Sequence, residues 1–217
     1  MTFSTPFQRY FPLLHLLTRV VVRVFAPRFH VVGRGHVPYR GPFIIAPNHS
    51  ADVDPPLVAA ALITRPLWFM AKRNLFDIPI LGKGMRFYQA FPVEPGEPDR
   101  EALRYAADLL KGGQPLVIFP EGRISQTGEM GKILPGAMML ALRSGEPVIP
   151  CGIAGSPCIM PYGQFVPRPT LRRVTVVFGP PLQLDDLEGL PRRQAREVAT
   201  ERLETAIKAC VAQAKRG

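Results

Sequence analysis

The sequence predicts an α/β fold: a single domain with a mostly parallel mixed sheet flanked by helices, preceded by an N-terminal amphipathic helical segment. Three observations carry this. From Phe29 onward, seven short apolar runs alternate with helical patterns, as a parallel sheet with crossover helices requires. Those runs are close to continuously apolar, the mark of strands covered on both faces. The 217 residues, 47% hydrophobic and 20% charged, suit one core, and no repeat, low-complexity tract or linker divides them. The expected division is an interfacial segment over 1–28 and one domain over 29–217.

In chain order, Phe3, Phe7, Tyr10, Phe11, Leu13, Leu14, Leu17, Val20, Val21, Val24 and Phe25 recur at helical steps, interrupted by Arg9, Arg19 and Arg23. The spacing predicts a helix, or a helix pair broken near Pro12. Six arginines precede the first acidic residue, Asp52, so the segment suits an anionic lipid surface, where apolar burial and charge attraction add. The alternative is a helix that packs on its own domain. Strands are expected over 29–32, 43–46, 67–70, 89–93, 115–119, 148–153 and 174–178. Helices are expected over 55–63, from Pro98-Asp99 to Gly112-Gly113 with Leu103, Ala106, Ala107 and Leu110 facing inward, and over 135–143. A closing helix places Val198, Leu203, Ile207, Cys210 and Val211 on one face and Glu204 four residues before Lys208.

Composition removes several function classes. The 27 Lys and Arg against 17 Asp and Glu leave a net charge of +10, which attracts anions without choosing among them. No nucleic-acid-binding motif accompanies that charge, so nucleic acid is not an expected partner. Cys151, Cys158 and Cys210 form neither a C-x-x-C pair nor a zinc spacing, which points to a reducing compartment. The longest uncharged stretch, 147–166, is studded with prolines and glycines and cannot be a membrane span. No cleaved signal peptide is expected either. Gly33-Arg34-Gly35 lacks the third glycine of a dinucleotide fingerprint, and Gly131-Lys132 lacks the frame of a P-loop. No metal or resident cofactor is implied.

Two loops remain. Pro47-Asn48-His49-Ser50-Ala51-Asp52-Val53-Asp54-Pro55 follows an expected strand and precedes an expected helix, the place where α/β sheets hold their sites. A carboxylate bonded to one nitrogen of His49 would fix its tautomer and make the other nitrogen a proton acceptor, so His49 and Asp54 form a candidate dyad. Spacing alone also allows Asp54 to cap the helix that follows. The second loop is Phe119-Pro120-Glu121-Gly122-Arg123-Ile124-Ser125. Gly122 permits a sharp turn, Arg123 suits a phosphate and Ser125 adds a donor. Taken alone, Glu121 and Arg123 also read as a surface ion pair.

These loops, in order with two further blocks, resemble the glycerolipid acyltransferase family over residues 30 to 180. His49 and Asp54 match its first block. Met70-Ala71-Lys72-Arg73-Asn74-Leu75-Phe76, continuing to Phe91-Pro92-Val93, resembles the second. Phe119 to Ser125 matches the third, and Val148-Ile149-Pro150-Cys151-Gly152-Ile153-Ala154-Gly155 the fourth. The resemblance implies transfer of a fatty acyl group from acyl-CoA or acyl-carrier protein, as co-substrate, to the hydroxyl of a lysophospholipid, 1-acyl-sn-glycerol-3-phosphate foremost. It implies His49 as general base, Asp54 as its partner, and Lys72, Arg73, Arg100, Glu121, Gly122, Arg123 and Ser125 as acceptor-binding residues. It also implies a peripheral, monotopic protein at the cytoplasmic face of a membrane bilayer. Two departures stand out. Glu94 is followed by Pro95 where the family has a basic residue, so either Arg100 reaches back or one phosphate ligand is absent. Leu134 stands where a lysine is common. Both leave room for other acceptors, such as a glycoside, an ornithine lipid or another lysolipid, and a non-catalytic lipid-binding protein is the reading from outside enzymes.

Overall fold

The computed structural model describes residues 6–62, 65–94, 99–164 and 166–216, with side chains from residue 9 onward. Of the expected features, Phe3, Ile63, Pro95, Pro98 and the Phe7 side chain lie outside these residues. The chain opens with helix α1 (Pro6–Phe25), which runs through Pro12 without a break. A proline deletes one N–H donor, and the long aliphatic run after it sustains the helix despite that loss. Against the domain α1 sets a narrow strip, His15, Val22 and Phe25, continued by Ala26 just after the helix. Its larger apolar face, Tyr10, Leu13, Leu16, Leu17, Val20, Val21 and Val24, is exposed. The helix therefore packs on its own domain along one strip and leaves its larger apolar face open.

All seven expected strands form: β1 (Phe29–Val32), β2 (Ile44–Pro47), β3 (Trp68–Lys72), β4 (Ala90–Val93), β5 (Leu116–Val117), β6 (Val148–Ala154) and β7 (Val174–Phe178). They make one sheet in the order β1-β7-β6-β2-β5-β3-β4. Every pair is parallel except β6 with β7, so β1 and β7 run against the other five. The two-residue period splits neighbouring side chains between two cores: Ile44, Leu116 and Val148 enter one, and Ile45, Val117 and Ile149 the other.

Helices α2 (Asp54–Ala61) and α3 (Pro79–Phe87) connect strands stepping one way across the sheet; α4 (Arg100–Lys111) and α5 (Gly136–Ser144) connect strands stepping back. Right-handed crossovers therefore put α2 and α3 on one face and α4 and α5 on the other. Helix α1 joins the first face by packing on α2, and the long α6 (Arg192–Arg216) joins the second, where Leu203 and Ile207 meet Leu109, Leu110 and Met138. Gly152 lets α6 lie directly on β6, since a Cβ there would stand 2.3 Å from the Cys210 carbonyl carbon. Asp99 starts α4 by accepting the Ala102 N–H at 2.9 Å, and Gly145, at φ 70°, ends α5. The helix that sequence patterning did not foresee is α3. Its packed side is Gly82, whose Cβ would fall 2.2 Å from the Phe76 carbonyl oxygen, and it is short, with two glycines inside it, which hides the helical pattern.

Candidate active site

The carboxyl ends of β2, β5 and β6 converge, and the two loops singled out in the sequence meet there. The loop after β2 carries His49, and α2 begins at Asp54. His49 Nδ1 and Asp54 Oδ2 are 2.9 Å apart, with the Asp54 side chain fully buried and that of His49 15% exposed. The same Oδ2 accepts the backbone N–H groups of Ser50 at 2.7 Å and Ala51 at 2.8 Å. Asp54 is thus the first residue of its helix and reaches back into the loop; it does not cap forward, which removes the purely structural capping reading. Oδ2 already accepts two backbone N–H groups and so meets the ring as an acceptor; in that arrangement the imidazole proton sits on Nδ1 and Nε2 keeps its lone pair. Phe119 stacks on the ring, with centroids 4.1 Å apart.

Neighbouring residues tie down the main chain around His49. Asn48 extends the pairing of β2 with β6: its Oδ1 accepts the Ile153 N–H at 2.7 Å and its Nδ2 donates to the Ile153 carbonyl at 3.1 Å. The Ser50 and Ser156 hydroxyls, both buried, lie 3.1 Å apart. Glu121 is buried, and its two oxygens take the His49 N–H at 2.7 Å and the Gly131 N–H at 2.8 Å. The Ser125 N–H donates to the His49 carbonyl at 2.8 Å. Burial pushes the Glu121 carboxyl above its ordinary pKa, against the pull of those two N–H groups. Glu121 therefore forms no surface pair with Arg123; it joins the His49 loop to the segment after β5. Gly122 turns left-handed beside it, at φ 66°, and a Cβ there would press on Leu134 Cδ1 at 2.8 Å.

The other expected acceptor residues are arranged differently. Lys72 closes β3, Arg100 opens α4 and Arg123 follows Gly122; all three are exposed, and none makes a hydrogen bond or ion pair with another described residue. Arg73 is half exposed and paired with Glu94. The Ser125 hydroxyl donates to the Glu129 carbonyl at 2.5 Å. Sequence reasoning missed the roles of Gly131, which meets Glu121 ten residues away, and Ser156, which meets Ser50 106 residues away; a buried serine and a glycine in a loop carry no local signal. The cysteines are free, and burial raises the thiol pKa of both Cys151 and Cys210, which suits neither as a nucleophile. Among the described residues no cluster of His, Cys, Asp or Glu is placed to hold a metal ion.

The family model for acyltransferases matches residues 28–154, from β1 through β6, a span that contains every site residue named above except Ser156. The chain belongs to the acyltransferase family. Among curated acyltransferases, a 1-acyl-sn-glycerol-3-phosphate acyltransferase of Bacillus subtilis is 27% identical over 178 residues, covering 82% of this chain and 85% of that protein. A protein of the same name from Pseudomonas aeruginosa is 27% identical over 176 residues, 78% of this chain and 63% of its own. The crystal structure of the 1-acyl-sn-glycerophosphate acyltransferase PlsC from Thermotoga maritima superposes with a TM-score of 0.70 at 23% identity, covering 93% of this chain and 81% of that one. At that identity the likeness establishes the fold, and it extends beyond the family match to take in β7 and α6. This acyltransferase has, among its described residues, no helix long and apolar enough to cross a membrane.

Proposed function

We propose that this acyltransferase moves a fatty acyl group from a thioester, acyl-CoA or acyl-carrier protein, onto the free hydroxyl of 1-acyl-sn-glycerol-3-phosphate, giving phosphatidic acid. The observation that carries the chemistry is the His49–Asp54 pair, with Nδ1 committed to a buried carboxylate and Nε2 left as an acceptor. The relatives in Bacillus subtilis and Pseudomonas aeruginosa are named for that acceptor, which supports it here. Nε2 takes the hydroxyl proton while the oxygen attacks the thioester carbonyl carbon. Asp54 stabilises the imidazolium, and as the carbon–sulfur bond breaks the proton passes to the departing thiolate. No acyl-enzyme and no resident cofactor enters the scheme. Arg123, with Lys72 and Arg100, holds the acceptor phosphate, and Glu121 contributes by holding the His49 main chain.

The lipid acceptor gives α1 its role. Residues 1–28 act as an interfacial anchor, with the exposed apolar face of α1 in the bilayer boundary on the side where the thioester donor is present, and residues 29–217 form the catalytic domain. A second reading, transfer to a less phosphate-dependent acceptor, is favoured by Arg73 being paired with Glu94 and Ser125 being engaged with Glu129. The test is thiol release from palmitoyl-CoA by the full-length protein on vesicles, with and without lysophosphatidic acid. Acceptor-dependent release supports the primary reading; release that depends only on another lysolipid supports the second. Release that His49→Ala leaves within about tenfold of the parent would overturn the base assignment.

A further inference from the structure

We propose that Arg19, Arg23 and Arg34 form a site for the phosphate of an anionic lipid headgroup, apart from the one that would hold the acceptor. The inference rests on the interfacial reading of α1. The three side chains line one notch, together with Phe29 and Ala60. Arg19 and Arg23 come from α1, and Arg34 follows β1. Arg34 Nε donates to the Ala61 carbonyl at 2.8 Å, and Arg23 donates one N–H to the Pro27 carbonyl at 3.2 Å. Each bond holds a guanidinium in place and uses one of its five N–H donors. Among the described residues, Arg19 makes no hydrogen bond and none of the three is paired with an acid. Burial lowers the pKa of Arg34, and Arg19 and Arg23 lower it further. Burial also lowers that of His15; two backbone groups oppose the shift, and Arg19 and Arg34 reinforce it. Three like charges around one opening, with no counter-charge from the chain, make a place where an anion relieves their repulsion.

The notch is separate from the His49 centre. Ala60 and Ala61 close α2, which Asp54 opens, so about 10 Å of helix stands between the notch and the His49–Asp54 pair. Two features choose a headgroup over a free phosphate. The first is position on α1. Arg19 lies one turn from His15 and Val22 of the buried strip and one turn from the exposed Leu16, and Arg23 lies one turn from the exposed Val20. The pair therefore marks the border between the strip and the open apolar face, the depth at which headgroup phosphates lie when such a helix is seated in the bilayer boundary. The second is size. The notch offers about 10 Å³, room for a single oxygen atom. A phosphoryl oxygen can enter while the rest of its group stays outside, an arrangement that suits an anion already held in a layer.

The test uses the full chain and vesicles of phosphatidylcholine with about one third phosphatidylglycerol, and needs no turnover. Arg19→Gln with Arg34→Gln should weaken vesicle partition about thirtyfold, whereas Arg9→Gln with Arg40→Gln, which removes the same charge outside the notch, should weaken it no more than about fivefold. Arg34→Lys keeps the charge and loses the planar fork, and should still weaken partition about fivefold. Equal losses from the two double variants, or partition indifferent to Arg34→Lys, would show that lipid attraction counts charges without regard to place, and either overturns the site alone. Inorganic phosphate, titrated without vesicles at constant ionic strength, is the arm for a soluble ligand. A rise in melting temperature that Arg34→Lys removes, with partition indifferent to that variant, assigns the notch to a soluble phosphate and overturns the lipid assignment. Failure of the parent protein to bind vesicles overturns the α1 anchor and the headgroup site together, and leaves the acyl-transfer reading to its own assay.

Discussion

His49 and the basic side chains around it lie at the same end of one sheet yet are held in opposite ways. The imidazole is bonded to a buried carboxylate, stacked on Phe119, and bounded by hydrogen bonds to its own N–H and carbonyl. Lys72, Arg100 and Arg123 stand exposed with no bond to another described residue. On the roles proposed above, the difference follows from what each would do. Proton transfer requires a heavy-atom approach of about 2.6–3.2 Å, so a small displacement of the base is costly. A phosphate is a diffuse double charge that long side chains meet by adjusting, and pre-fixing them would desolvate them before the ligand arrives.

If the contrast is real, variants of the hydrogen-bonded part should cost more than variants of the exposed, unbonded part. The largest effect is expected for His49→Ala, a fall in kcat of about 10²–10⁴ with little change in melting temperature, read from thiol release and calorimetry side by side. Glu121→Gln comes next. Its amide nitrogen must face one of the two backbone N–H donors, so about 1–3 kcal/mol of stability should be lost in denaturant unfolding, with kcat falling as His49 loosens. The same variant sharpens the comparison through pH. The folded pKa of Glu121 is raised by burial, so the native state binds the proton more tightly than the unfolded chain. The parent's stability relative to Glu121→Gln should therefore be highest below the unfolded value of about 4.3 and decline as pH rises through the folded value. A difference that grows with pH over that window would contradict the burial argument.

Smaller effects are expected at the rim. Arg123→Ala should raise KM for a phosphorylated acceptor about tenfold while changing kcat little, and a glycerolipid acceptor without phosphate should hardly notice it. Equal losses for both acceptors would break the comparison by moving Arg123 into the fixed machinery. The smallest effect belongs to the Arg73–Glu94 pair. Both members are about half exposed, and a double-mutant cycle on unfolding should return no more than about 1 kcal/mol.

The same contrast explains which parts of the molecule could be read from sequence. The strands were legible because β-branched and aliphatic runs such as 148–153 and 174–178 must be buried on both faces, and that requirement is written locally. The His49–Asp54 pair was legible because its members lie five residues apart on one strand-to-helix connection. Glu121 was recognised as a site residue, but not as the brace of His49, 72 positions away, because only the adjacency of β2 and β5 brings them together. Helix α3 escaped because its packing depends on a missing side chain, Gly82. Of the two readings of the N-terminal segment, one helix and a pair broken near Pro12, the single helix holds, because one lost hydrogen bond is too little to end a helix of that composition.

The reversed direction of β1 and β7 has a consequence for encounter with substrate. Because β1 runs against the central strands, it begins where they end, and the Phe25 end of α1 is delivered to the rim that holds His49. The Thr170 N–H, donating to the Phe25 carbonyl at 2.8 Å, fastens that junction. With α1 in the headgroup layer, as proposed, His49 Nε2 would stay within a short arm of the layer in which a lipid acceptor diffuses. The search for that acceptor would then take place in a plane, and turnover would respond to the mole fraction of acceptor in the bilayer rather than to its total concentration in the suspension.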